Sequence, residues 1–294
     1  VGEREGVFFD MEPADYHSEK PWSVPSLSAS VGKCLVPGRP FSSTPLHAWC
    51  AHPKLNSNFQ PKNKKQFDIG NAAHEFCVGR GRGIVVIDAE SYLTKGAQRE
   101  RDAAYEADKI PVLFDQHRQL QNMAAVRRQL MMDAPWGEPF IDGKAEVCLR
   151  WKEKTKHGEI WCKALVDWLP DERPVERGID YKSTGQSANP EWWERRQMTQ
   201  LGMDISAAFH IRGYRALGLG HSIDYLWVVQ EWNEPYACSI VGYSDEELRA
   251  ADRDIQDMID TWAKCLHSKR WPGYELTPRL ARHPRNRRTV LREK

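Results

Sequence analysis

Close cysteine pairs are missing from this chain. Its seven cysteines, at positions 34, 50, 77, 148, 162, 238 and 265, are never nearer than fourteen residues, and no Cys-x-x-Cys occurs. That excludes zinc-ribbon and clustered iron–sulfur patterns. An odd number of scattered cysteines reads as free thiols in a reducing compartment, so the expected location is cytoplasmic. Long apolar runs are missing too. The longest, Ile84–Ile87 and residues 225–229, are far too short to cross a bilayer, and the first residues carry no signal-peptide pattern. No membrane partner is expected. Internal repeats and low-complexity segments are absent, which excludes solenoid and compositionally disordered architectures.

Net charge is also nearly missing, at +1 over 294 residues, but the balance is uneven. Residues 277–294 hold six arginines and one lysine against a single acid, Glu293, a net +6 that leaves the preceding body at −5. A basic tail beside an acidic body suits phosphate contact, and it equally suits a solvated chain end. Tryptophan is plentiful, with twelve copies, several in polar surroundings such as Glu191-Trp192-Trp193-Glu194. Most fit core gaps, and a minority are free to stack on a ligand.

Hydrophobic content of 40% supports a real core, and the patterning changes along the chain. The stretch Pro25 to Ser30 reads as a helix start with capping hydroxyls, and residues 46–51 read as a second short helix. Residues 53–65 form a polar loop. Helical spacing covers 67–78, 98–107 and Phe114–Met132. From Lys144 the period becomes two. Residues 145–151 and 160–169 read as a hairpin joined by a charged turn over 152–158, and a third strand runs into Ile179-Asp180-Tyr181. Helix returns over 190–217 with a break at Gly202. Strands follow over 223–230 and 237–241. A long helix over 244–266 opens with the capping pattern Ser244-Asp245-Glu246-Glu247. The picture is one α/β domain with a helical front half and a central mixed sheet between flanking helices.

Chemistry concentrates on that third strand. Asp167 precedes Asp180 by thirteen positions, and Asp180 opens the tripeptide Asp180-Tyr181-Lys182. Two carboxylates on adjacent strands suit a hard divalent ion, and Lys182 shares Asp180's face because strand side chains alternate. The lysine is placed to neutralise phosphate charge or to act on an attacking water. Glu146, on the first hairpin strand, offers a third carboxylate. His74, on a helix with Gly70, Ala72 and Ala73, offers an imidazole ligand. An acid-x-Lys tripeptide recurs by chance, and Asp142-Gly143-Lys144 is a second one, read as a turn. Spacing alone leaves two readings open: a metal site, or solvated strand-end acids with a surface lysine and a packed core histidine.

In this order, Gly70-x-x-x-His74, Glu146, Val166-Asp167 and Ile179-Asp180-Tyr181-Lys182-Ser183-Thr184 resemble the RecE-like and RecB-like branch of the PD-(D/E)XK nucleases. The similarity extends to Asp15-Tyr16-His17, to Ser26 through Lys33, to Thr44-Pro45-Leu46-His47-Ala48-Trp49, to Val228-Val229-Gln230-Glu231 with Pro235-Tyr236, and to Trp271-Pro272-Gly273-Tyr274. The resemblance implies a restriction-endonuclease-like core over residues 67–276, a helical segment packed on it over 1–66, and a basic tail over 277–294. It implies that His74, Asp167, Asp180 and the Tyr181 backbone carbonyl hold one or two Mg²⁺ or Mn²⁺ ions. Lys182 would act on the water, with Glu146 as an auxiliary acid. The four-cysteine iron–sulfur cluster of some relatives has no counterpart. Ser183, Thr184, Gln200, His210 and Tyr214 become candidate DNA contacts.

The implied activity is a phage-type exonuclease that degrades duplex DNA 5′ to 3′ from its ends. It would leave 3′ single strands for an annealing recombinase, with a homo-oligomeric ring around DNA as a further expectation. The chain departs from relatives in one place. A Gln and a Tyr four apart on the helix after the lysine motif are replaced by Ser206 and His210, with Gln200 and Tyr214 as substitutes. That departure keeps two alternatives open: a catalytically reduced DNA-binding or assembly protein, and an endonuclease of the same fold.

Overall fold

The structure, a computed structural model, describes residues 2–60, 68–135 and 137–278. The basic tail lies almost wholly outside these described residues, as do residues 61–65 of the expected polar loop. Residues 2–60 carry short strands and short helices: β1 (Gly6–Phe8), α1 (Pro13–Ser18), β2 (Ser26–Leu27), α2 (Ala29–Gly32) and α3 (Pro45–Cys50). The helix expected from Pro25 begins only at Ala29, because Ser26 and Leu27 pair in parallel with Trp161 and Cys162. Ser28 flanks that helix, yet its hydroxyl meets Ser30's at 3.1 Å rather than a backbone amide.

Next come α4 (Asp68–Val78), β3 (Ile84–Ile87), α5 (Lys95–Glu106), β4 (Ile110–Leu113) and α6 (Phe114–Met132). The three helices fall where the periodicity places them. The strands β3 and β4 were not expected, and they form a separate two-stranded parallel sheet. Four-residue apolar runs are too short for periodicity to separate strand from helix. Among the described residues the front half is therefore helical with four short strands.

The main sheet is built by β5 (Gly143–Thr155), β6 (Gly158–Pro170), β7 (Arg177–Thr184), β8 (Asp224–Glu231) and β9 (Cys238–Gly242). Its order is β1-β5-β6-β7-β8-β9, with β7 and β8 parallel, the other neighbours antiparallel, and β2 on the early part of β6. Two expected turns are shorter than their sequence suggests. The charged turn over 152–158 contracts to Lys156-His157, because both hairpin strands run on to a Thr155–Gly158 pair. Asp142-Gly143-Lys144 is a strand entry, with Gly143 and Lys144 paired to Pro170 and Leu169.

Between β7 and β8 the chain is α7 (Pro190–Trp192), a π-helical stretch (Trp193–Met198), α8 (Thr199–Leu201) and α9 (Met203–Ala216). Gly202 makes the expected break at φ +59°. Last is α10 (Asp245–Ser268), where the Ser244 hydroxyl accepts the Glu247 amide at 3.3 Å. Helices cover both sheet faces. One core joins Leu27, Val147, Leu149, Trp151, Val166, Phe209, Trp227 and Trp262. The other joins Ala72, Ala73, Leu120, Met123, Trp168, Ile179, Tyr181 and Val228.

Buried charge ties the front segment to β6. Glu19, fully buried, receives Lys163 Nζ at 2.9 Å, the Ser26 amide at 3.2 Å and the His52 imidazole at 3.4 Å. Lys163 also donates to the Tyr16 carbonyl at 2.6 Å. Beside them Arg150 stacks over Trp161 at 3.8 Å and bonds Glu3 at 2.6 Å. Burial pushes the Glu19 carboxyl up, but His52 and Lys163 outweigh it and hold it below the usual carboxylate range. The charged form is therefore favoured by folding, and its contribution fades as pH falls through the native value. Glu19→Ala leaves Lys163 buried and unpaired, a loss of about 3–5 kcal/mol. Urea denaturation at neutral pH checks this, and a loss below about 1 kcal/mol would deny the network that role.

Candidate active site

The strands β6 and β7 pair only at Trp168 and Ile179. One residue on, the Asp167 carboxylate does what a main-chain carbonyl would do in a longer ladder: its Oδ2 accepts the Tyr181 amide at 2.8 Å. The fork brings Asp167 and Asp180 together, as the sequence spacing suggested.

Glu146 stands across from Asp167, between the register pairs Ala145–Trp168 and Val147–Val166. In-and-out alternation slips on both strands there. Val147 and Val166 belong to one core, whereas Ala145 and Trp168 pack in the other. Glu146 takes the slip at φ +47°, a left-handed backbone that costs a non-glycine residue roughly 1–2 kcal/mol. Non-glycine strain of this kind gathers at functional sites.

His74 reaches in from α4. Its Nε2 lies 3.2 Å from Asp167 Oδ2, and its Nδ1 lies 3.7 Å from Glu146 Oε1. Burial disfavours the imidazolium, but Asp167 and Glu146 outweigh it and raise the His74 pKa. Burial, with Asp167 close by, raises the Glu146 carboxyl although His74 opposes it. Its second oxygen, Oε2, is buried and has no partner among the described residues. Burial and the neighbouring Asp167 charge push the Asp180 carboxyl up. Asp167 moves down against burial, because His74, Lys182 and the Tyr181 amide favour its charged form. Two close carboxylates resist joint ionisation, so their protonation divides between them.

Asp180 has a rear support that the sequence reading passed over. The Tyr225 hydroxyl donates to Asp180 Oδ1 at 2.8 Å and lies 2.5 Å from His210 Nδ1. Burial drops the His210 pKa to about 4. The ring is thus neutral near pH 7, and the network assigns its proton to Nδ1. A Cβ at residue 178 would overlap the Tyr225 ring, so Gly178 is what lets that ring lie across β7 toward Asp180. A glycine inside a strand two residues before the acid was the available signal. Lys182 is exposed on Asp180's face of β7. Lys33, at the end of the N-terminal stretch that resembles the family, lies near Lys182. Burial, with Lys182 beside it, lowers its ammonium to about 8, and its Nζ donates to the Leu201 carbonyl at 2.7 Å.

The expected DNA contacts sit unequally. Gln200 is exposed on α8, and Ser183 is half-buried beside Gly70. Thr184 is buried, its hydroxyl accepting the Gln186 amide at 3.0 Å. His210 is buried behind Asp180, and Tyr214 is fully buried. Among the described residues the Ser206 hydroxyl bonds back along its helix, to the Gly202 carbonyl at 3.5 Å. Tyr181 is anchored through its phenol, which donates to Gln230 Oε1 at 2.8 Å. This fixes the peptide whose carbonyl was the expected ligand.

Among the described residues no three His, Cys, Asp or Glu side chains converge into a closed metal cluster. The donor chemistry nonetheless fits a hard divalent ion: carboxylates with one imidazole, a crowded acid pair, and an orphaned Glu146 oxygen. Because Asp180 is raised, the native state holds a proton there more tightly than the unfolded chain does. Its own contribution to stability therefore falls as pH climbs from about 4 past neutrality. In EDTA, Asp180→Asn should stabilise by on the order of 1–3 kcal/mol at about pH 8 and clearly less at about pH 5. Calorimetry at the two pH values checks it, and an equal effect at both would reject the charge-crowding account.

A family model described as a PDDEXK-like domain of unknown function (DUF3799) matches residues 40–277. A comparison with curated proteins found no match. A crystal structure from Eubacterium rectale, of a protein named "Putative exonuclease", shares the fold at a TM-score of 0.59 and 13% identity. The alignment covers 94% of this chain and 96% of that one. With its forked β6–β7 pair and most of its length inside the family's bounds, the chain belongs to the PDDEXK-like family DUF3799, within the PD-(D/E)XK nuclease fold.

Proposed function

We propose that this protein is a divalent-metal-dependent nuclease that degrades duplex DNA from its ends, 5′ to 3′, and supplies 3′ single strands for recombination. The observation that carries the nuclease reading is the fork itself. Asp167 and Asp180 sit on neighbouring strands, Lys182 shares Asp180's face, and His74 from α4 lies beside both Asp167 and the β5 acid Glu146. End dependence and polarity rest on the family resemblance.

His74, Asp167, Asp180 and the Tyr181 carbonyl would hold a Mg²⁺ or Mn²⁺ ion, which when bound supplies polarisation of the scissile phosphate and a water acidic enough to attack. The protein's own groups do the remaining work. Asp167 ties β7 to the site through the Tyr181 amide, and Tyr225 with neutral His210 orients Asp180. Lys182 balances charge gathering on the phosphate or takes the proton of the water. Glu146 stands as an auxiliary acid.

A DNA-binding protein with reduced turnover is the second reading, favoured by Ser206 and by a buried His210 where relatives carry Gln and Tyr. One experiment separates the readings: a linear duplex labelled at either 5′ end beside a covalently closed circle, with Mg²⁺ or Mn²⁺ and with EDTA. Metal-dependent loss of the linear substrate alone is expected. Asp167→Ala, Asp180→Ala and Lys182→Ala should each slow it by at least about 10²-fold while the circular dichroism stays native. Cutting of the circle would make the protein an endonuclease. Binding without cleavage under either metal would favour the second reading.

A further inference from the structure

The Asp180 strand leads directly into a shaped surface that the proposed mechanism leaves unused. After Thr184 the chain is fixed by its own polar groups. The Thr184 hydroxyl accepts the Gln186 amide at 3.0 Å, and Glu231 Oε1 accepts the Ala188 amide at 2.7 Å. The Ser187 hydroxyl accepts the Asn189 amide at 3.1 Å, and the Asn189 side chain accepts the Trp192 amide at 3.1 Å. The buried Trp193 locks the segment from beneath, donating its indole N–H to the Ser187 carbonyl at 2.9 Å. On this base lies an open groove of about 440 Å³, lined by Ser187, Asn189, Glu191, Trp192, Arg195 and Arg196.

Trp192, Arg195 and Arg196 all line this one groove, Trp192 at the end of α7 and the two arginines on the π-helical stretch. Trp192 is half-exposed, held edge-on against Trp193 at 6.4 Å and 70°. Arg195 is paired loosely with Glu191 at 3.7 Å, both largely in solvent. Arg196 is exposed and has no ion pair among the described residues. The π-helical winding begins at Trp193, and such irregular turns mark functional stretches more often than ordinary helix.

We propose that this groove holds a single strand of nucleic acid, a base stacking on Trp192 and phosphates meeting Arg195 and Arg196. An aromatic platform beside cations is the chemistry of sequence-tolerant single-strand binding. A duplex keeps its base faces stacked away from such a ring. The volume suits one nucleotide unit, being in the roughly 300–1,000 Å³ range of ligand sites. Ser187 follows Lys182 by five residues, at most about 18 Å of extended chain. A stacked strand leaving the Asp180 site would reach the groove within about five nucleotides. That the strand comes from the cleavage site rests on the nuclease reading, whereas the groove's ligand class rests on its own residues.

The test is fluorescence anisotropy of a labelled oligothymidylate and a blunt duplex with the full chain in EDTA. The wild type is compared with Trp192→Ala, Trp192→Phe and the Arg195→Ala/Arg196→Ala double variant. Trp192→Ala should weaken oligothymidylate binding by about 5- to 100-fold, with Trp192→Phe near wild type. The double variant should reduce the slope of log affinity against log salt by about 1.4. Arg195 and Arg196 are exposed, so the double variant should keep its thermal midpoint; Trp192 packs partly against the main core, and Trp192→Phe keeps an aromatic ring there as the folded control. Wild-type affinity and salt slope in both alanine variants would overturn the proposal, as would losses confined to the duplex. The nuclease reading fails separately, by absence of metal-dependent cleavage in the wild type whatever the binding shows.

Discussion

At Trp168 and Ile179 the strands β6 and β7 are ordinary antiparallel neighbours, and at the next step a carboxylate takes over the bond that a main-chain carbonyl would have made. That substitution, Asp167 accepting the Tyr181 amide, positions everything around it. It turns a charged side chain into part of the sheet's framework, so the acid cannot swing away from its partner strand. It also ends the pairing, which opens a fork for His74 from one side and Asp180 from the other. A hydrogen bond to an ionised acceptor is stronger than a neutral one, and here it opposes the burial that would otherwise neutralise Asp167.

The fork gathers like charge, and the fold carries that cost locally. Glu146 lies opposite Asp167 in a left-handed backbone conformation, at the joint where both strands exchange their core-facing sides. Asp180 is raised toward neutrality by burial and by Asp167. A strained residue and a repelled carboxylate within one cluster conflict with local stability, a pattern expected where a site is kept for its chemistry. The surrounding elements compensate. Tyr225 bonds Asp180 from behind and is itself held by His210, Gln230 pins the Tyr181 ring, and two cores brace the faces of the sheet.

A second set of buried charges does mechanical work away from the fork. Glu19, Lys163 and His52 fasten the front segment against β6, next to the stack of Arg150 on Trp161. Through β2 and Lys33 that segment reaches both the sheet and the neighbourhood of Lys182. The front residues are thus part of the same core as the sheet, and they place a second ammonium near the first.

Much of this was legible in order of residues alone. Period two from Lys144, the 3.6-residue spacing of α4, α6 and α10, and the Asp167, Asp180 and Lys182 pattern follow from local side-chain alternation and motif spacing, so the sequence by itself determined the mixed sheet, its flanking helices and a cluster of acids around one lysine. Short elements escaped it. Ser26 and Leu27 look like a helix start and become a strand, because the open edge of β6 near Trp161 offers hydrogen bonds that local propensity cannot anticipate. The apolar runs at Ile84 and Ile110 are strands only because they found each other across α5. Tyr225, read as one more apolar strand residue, became the support of Asp180 because Gly178 leaves room for its ring on the neighbouring strand. Which acid bonds which amide, where alternation slips, and which candidate contacts are buried depend on partners far away in sequence, and tertiary structure alone brings those partners within hydrogen-bonding distance.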